Sequence, residues 1–330
     1  MLSRSRLGVL WCAVLLACAP AASFGQKPAA KDYPSKAIRI VVPFVPGGPM
    51  DFVGHGLGQK IAPVFGQNLY VDNRPGAGGS LGTDVVAKAP PDGYTILLTS
   101  SSHTTLPNVL KSLPYDPVKD FTPITLVSRS PGFVLVVHPS VPARSAKELI
   151  ALDKANPGKL NYPSAGVGHV LHFAGESFNM MAGTKLTHVP YKGIGQAIND
   201  VLAGRIEVGL ISARSVLPHV RSGKLRALAI TASVRLNELA DVPTMDETGV
   251  KGFTYATWYG LWYAAGTPID YVSRMHTAVV KAFEDPETRR KFTEQGLIPV
   301  ASTPQEFGKT ILEDLEFHRK LAARMGLKSQ

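Results

Sequence analysis

The sequence predicts an α/β chain of two lobes that face each other across a cleft. Three observations carry this reading. Short β-branched apolar runs alternate with helical segments, which is the pattern of parallel sheets built from βαβ units. Strand ends run repeatedly into loops of glycine and serine that lead straight into helix starts. After about residue 264 the alternation lapses into helices alone, too little for a third domain, so the tail packs back onto the first unit.

The organising stretch is Ala37 to Asp51. Ile38 to Val42 reads as a buried parallel strand ended by Pro43, which cannot donate to a ladder. Pro46-Gly47-Gly48-Pro49 turns the chain, and Asp51 is placed as the N-cap of a helix from Phe52 to Val64. Glycines allow close approach to the backbone, and the first N–H groups of a helix have no internal partner. The loop therefore suits an anion, although an ordinary βα turn reads the same way on this stretch alone. Asn68 to Asp72 is a second strand, followed by Arg74-Pro-Gly-Ala-Gly-Gly79 and a helix from Ser80 to Lys88. Tyr94 to Leu98 is a third strand leading into Thr99 to His103. Loops at Gly47, Gly76 and Ser100 are expected to face one crevice beyond the carboxyl ends of the strands.

A second unit repeats the design. Phe133 to Val137 is a strand, and Ser145 to Ala155 is a helix with Ser145 and Glu148 as a capping box. Leu160 to Tyr162 is a short strand, Pro163 to Gly168 a small-residue loop, and a helix runs from about His169 to Met181. Thr187 to Val189, Gly193 to Ala203, Arg205 to Leu210 and Leu225 to Thr231 continue as strand, helix, strand and strand. Phe253 to Ala264 is an aromatic strand, and the rest to Met325 is helical. Domain one is therefore expected to be discontinuous, residues 33–131 plus 254–330, with domain two at 132–253. Crossings near 131 and 254 form a hinge.

Residues 1–25 read as an export signal, with basic Arg4 and Arg6, an apolar stretch from Leu7 to Ala17 and small residues up to Gly25. It is too short to span a bilayer. Cleavage after Gly25 leaves a soluble periplasmic chain; a lipid anchor on Cys18 is the alternative. Both cysteines, Cys12 and Cys18, lie in this segment, so the mature chain carries no disulfide. The net charge of +10 falls to +8 when Arg4 and Arg6 leave. The basic residues are scattered without interleaved aromatics, which argues against nucleic acid.

A set of ordered motifs then becomes specific. Pro43 to Asp51, Asn73 to Gly79, Pro91-Asp-Gly-Tyr94, Leu113 to Phe121, Ala155 to Tyr162, His188 to Gly193, Ser222 to Ala229 and Asp241-Val-Pro-Thr244 together resemble the Bug family. These are the extracytoplasmic solute-binding proteins of tripartite tricarboxylate transporters, and the resemblance runs from about Tyr33 to Phe317. It implies a type II-like periplasmic binding protein fold that closes on a small carboxylate and hands it to membrane permease subunits. No cofactor or metal is implied, and the chain is expected to act as a monomer. Carried over by position, the ligand contacts are Pro46, Gly47, Gly48 and Asp51; Gly76, Ala77, Gly78 and Gly79; and Ser100, Ser101 and His103. From the second lobe they are Ser164, Ala165, Gly166, His172, Tyr191 and Gly193. Recognition by backbone and hydroxyl groups, rather than by a fixed cation, is what the resemblance implies.

The departures from that pattern are Ile211-Ser212, Arg214, His55, His169 and Ser80. Arg214 is a candidate reader of a second carboxylate, set against a solvated surface arginine. Trp258 is a candidate cleft contact, with alternation placing Trp258 and Trp262 on one face and Tyr259 on the other. Competing chemistries are weaker. Gly78-Gly-Ser80-Leu-Gly82 fits a serine nucleophile elbow but lacks a strand running into the serine. His169, His172 and Glu176 share a helical spacing suited to a metal, without a supporting motif. Gly166-Val-Gly168 lacks the third glycine of a dinucleotide fingerprint. The expected function is binding without catalysis, with a ligand sensor feeding a signalling partner as the alternative.

Overall fold

The computed structural model describes residues 33–327, so the export segment and both cysteines lie outside the described range. β1 (Ile38–Val42), α1 (Pro49–Phe65), β2 (Leu69–Asn73), α2 (Ser80–Ala87), β3 (Thr95–Ser100) and a one-turn α3 (Ser102–Thr105) give the expected alternation. β1 pairs in parallel with β2 and with β3, as apolar strands separated by helices should. β4 (Phe121–Ser130) was not expected, because Pro123 and four hydroxyl residues mask its pattern.

The chain continues through β5 (Phe133–Val137), α4 (Ala146–Ala155), β6 (Asn161–Ser164), α5 (Val170–Ala182), β7 (Thr187–Pro190) and α6 (Ile194–Leu202). β8 (Val208–Ser212), α7 (Ala213–Arg221) and β9 (Arg226–Ile230) follow. α7 is a further addition to the sequence reading, hidden by the proline at 218. β10 (Thr257–Ala264), α8 (Ile269–Glu284), α9 (Pro286–Glu294), β11 (Ile298–Pro299) and α10 (Pro304–Met325) complete the described chain.

Among the described residues the strands form three sheets. One has six strands in the order β11-β4-β10-β3-β1-β2, one has three in the order β8-β5-β9, and β6 pairs with β7. β10 lies antiparallel between β3 and β4, so the late aromatic strand returns to the first sheet. Trp262 and Phe307 anchor the core there with Val41, Leu97 and Leu126. β5 is buried on both faces: Phe133, Leu135 and Val137 join one apolar cluster, and Val134 and Val136 the other, as a period of two requires. Leu321 and Ala322, near the end of α10, belong to the same cluster as Phe133 and Phe173.

Two caps differ from expectation. Ser145 accepts from the Glu148 N–H, but the Glu148 carboxylate reaches back to Arg144 rather than to Ser145. The N-cap of α1 is Gly48, not Asp51: Gly48 is extended, Pro49 supplies the fixed φ of the first helical position, and Asp51 falls in the first turn.

Candidate ligand-binding site

A cavity of about 50 Å³ opens where the carboxyl ends of β1, β3, β6 and β8 meet the starts of α1, α5 and α6. Phe44, Val45, Met50, Phe133, Leu171 and Ile194 supply much of its apolar wall, and Asp51, Ser100, His169, Ser212, Thr257 and Tyr259 its polar points. Among the described residues no lysine or arginine lines it.

Three helices begin at this cavity without a side chain on their first N–H groups. α1 starts from Gly48, α6 from Gly193 and α7 from Ser212, and none of the three caps makes a side-chain hydrogen bond to its helix. Gly48, Pro49, Met50 and Asp51 of the first start, Ile194 and Gly195 of the second and Ser212 of the third all line the cavity. The positive ends of three helix dipoles therefore meet at one place, and such ends favour an anion.

α5 behaves differently. Its N-cap His169 accepts from the Leu171 N–H through Nδ1, at 3.2 Å, and the Val170 N–H donates to Ser102 Oγ at 3.0 Å. Burial, with His172 nearby, pushes the His169 imidazolium down to about 3. The ring is thus neutral at ordinary pH and packs edge-on against Phe44 at 5.1 Å between centroids.

Of the residues expected at the ligand, Gly48, Asp51, Ser100 and Ala165 line the cavity. Pro46 and Gly47 sit in the turn ahead of α1, where the Gly47 N–H donates to the Asp51 carboxylate at 3.2 Å; Asn73 Nδ2 donates to the other oxygen at 3.1 Å. Gly76, Ala77, Gly78 and Gly79 do something else. A Cβ on Gly78 would lie 2.3 Å from the Val167 carbonyl, and one on Gly166 would lie 3.1 Å from the Gly78 backbone. The bareness of these loops lets two backbones touch each other across the cleft. Gly193 likewise sits against Val45, 2.1 Å from where its Cβ would be.

Several expected contacts are committed elsewhere. The Ser101 hydroxyl pairs with Thr257, and Ser164 donates to the Gly166 carbonyl and meets His188 at 2.6 Å. His103 is buried among Tyr115, Phe121 and Trp262, with Nε2 on the Pro117 carbonyl, and burial pushes it down to about 4. His172 stacks on His188 at 4.1 Å and accepts from the Gly168 N–H. Tyr191 donates to Asp200 and is pushed up to about 12, by burial first and that carboxylate second.

Arg214 is half-buried and does not line the cavity, although Asp51 and Tyr259, which do, lie within its electrostatic reach. Its Nε donates to Gln295 and its guanidinium lies 5.1 Å above the Phe52 ring, with burial lowering its pKa. Trp258 faces the first core, donating to Asp314 and packing on Phe307, while its neighbour Tyr259 lines the cavity. Alternation had separated those two residues; the burial direction of the strand decided which one faced the cleft.

The other chemistries find no matching geometry. Ser80 follows a 3₁₀ turn, Ala77–Gly79, rather than a strand. Glu176 accepts from Tyr162, and among the described residues no group of three His, Cys, Asp or Glu side chains is placed to hold a metal ion.

Residues 55–327 match the model of the tripartite tricarboxylate transporter family receptor. The chain belongs to that family. The receptor is 34% identical to BugT of Bordetella pertussis over 301 residues, 91% of this chain and 92% of BugT. The solved structure of R. palustris Rpa4515 with adipate covers 91% of the receptor and is matched over its whole length, at a TM-score of 0.87 and 30% identity. MatC from Rhodopseudomonas palustris with bound malate covers 88%, also over its whole length, at 0.84 and 29%. These likenesses give the receptor the two-lobed α/β binding-protein fold and bear out the resemblance to the Bug proteins.

Proposed function

We propose that this receptor captures a small carboxylate in the cavity and delivers it, in the periplasm, to the membrane subunits of a tripartite transporter. The observation that carries the proposal is the convergence of three uncapped helix starts on a cavity lined, among the described residues, by no lysine or arginine. Main-chain N–H groups favour an anion there without a buried counter-charge to desolvate, and ordered water can bridge to ligands of several lengths. Relatives solved with adipate and malate support the same ligand class.

Residues 1–25 serve as the cleaved export signal in this reading. The lobes are 33–131 plus 254–330 and 132–253, with α10 reaching from the first to pack Leu321 and Ala322 on the second. Closing and opening about the two crossings loads and releases the ligand; no bond is made or broken. The test is a thermal-shift screen of carboxylic acids, with recovery of each acid after binding. A melting rise with the acid recovered unchanged is expected. Indifference to every acid, or conversion of one, overturns the proposal.

A further inference from the structure

We infer that the cavity selects a monocarboxylate with a compact apolar body over dicarboxylates and hydroxy acids; this rests on the carboxylate reading above. The helix starts at the cavity are not equal. α1 carries Asp51 in its first turn, and that carboxylate lines the cavity with Gly47, Asn73 and, at 3.8 Å, His55 Nε2 around it. The positive end of α1 is therefore already answered by a charge of the protein's own. α6 and α7 have no acidic residue in their first turns. The starts of α6 and α7 are thus the ones left for an anionic group, while that of α1 already faces Asp51.

Among the described residues the rest of the wall offers a second charge no cation, only the neutral polar points His169 and Tyr259 besides the hydroxyls of Ser100, Ser212 and Thr257. Phe44, Val45, Met50, Phe133, Leu171 and Ile194 are apolar, and the Arg214 guanidinium is held by Gln295 and Phe52. A second carboxylate would lie against hydrocarbon or against Asp51, and either placement is costly. A ligand hydroxyl fares little better, because Ser100, Ser212 and Thr257 are already paired with Ser102, Ser215 and Ser101.

The test is calorimetric titration of the purified protein with isovalerate and benzoate, and separately with malate and adipate. Isovalerate or benzoate is expected to bind at least tenfold tighter than either dicarboxylate. Asp51→Asn, which keeps an acceptor and removes the charge, is expected to raise malate affinity relative to isovalerate. Ile194→Thr, which trades an ethyl group for a hydroxyl on the cavity wall, is expected to weaken isovalerate relative to malate by about threefold. Malate or adipate binding as tightly as both monocarboxylates, in the wild type, overturns the inference and leaves the carboxylate reading standing. Silence with all four acids overturns both.

Discussion

β6 and β7 lie side by side as a parallel pair, and each runs through a short loop into a helix, yet the two helices begin in opposite ways. The loop after β6 has the richer signature, Ser164-Ala-Gly-Val-Gly168. Its helix α5 is nonetheless closed: His169 and Ser102 take the first N–H groups. The loop after β7 has one glycine, Gly193, and α6 starts with no side chain over it and with Ile194 and Gly195 on the cavity. A small-residue loop before a helix does not by itself make an anion cradle. The partners of the first N–H groups decide, and those partners can come from another part of the chain.

The sharpest way to break this contrast is to fill the open start. Gly195→Asp puts a carboxylate in the first turn of α6, where a Cβ meets nothing within 4 Å. The helix tolerates an acid there, so the fold should hold while carboxylate affinity falls at least about a hundredfold, near 2.7 kcal/mol. Unchanged affinity in calorimetry would place the anion elsewhere.

The closed start can be probed by pH. Burial holds His169 at about 3 and His172 at about 4, both below the ordinary 6.5, so the folded protein keeps them neutral while the unfolded chain protonates them. Their contribution is present in full above pH 6.5 and is lost as pH falls through the interval from 6.5 towards 4. One such histidine gives a loss of about 1.5 kcal/mol between pH 6.5 and 5, and urea denaturation should find at least that much. A flat profile across the interval would mean the rings are hydrated.

Ser102→Ala leaves the Val170 N–H without its acceptor when the cleft is shut. A buried unsatisfied donor costs about 1–3 kcal/mol, so ligand affinity should drop about tenfold. Equal affinity would remove Ser102 from the closure. The smallest effect is expected at Arg214, whose contacts to Gln295 and Phe52 tie α7 to α9 and α1. Arg214→Ala should weaken every carboxylate alike, by about threefold, through faster release measured by stopped flow. A loss confined to dicarboxylates would instead make the arginine a direct reader of a second carboxylate.

Much of the fold was legible because local signals agreed with it. Ile38–Val42, apolar but for Arg39, and Phe133–Val137, apolar throughout, stand out as short strand-forming runs, and both occupy the residues the sequence assigned. β4 and α7 were hidden by internal prolines that tertiary pairing tolerates. At the site, Gly48, Ser100 and Ala165 could be found from loop position. Tyr259 and Ile194 could not, since strand alternation names two faces without saying which one meets the cleft.

The sequence by itself determined the βαβ order, the glycine bends, the family likeness and the want of a cationic stripe, because each depends on neighbours within a few positions or on motifs in line. Only the tertiary structure decided which bends meet a ligand and which meet each other. Gly78 against Val167 and Ser102 against Val170 are contacts between residues far apart in the chain; the first packs backbone on backbone, and the second uses up an N–H that, read alone, looked free. Whether an N–H is available depends on what lies within about 3 Å of it, and no local pattern encodes that.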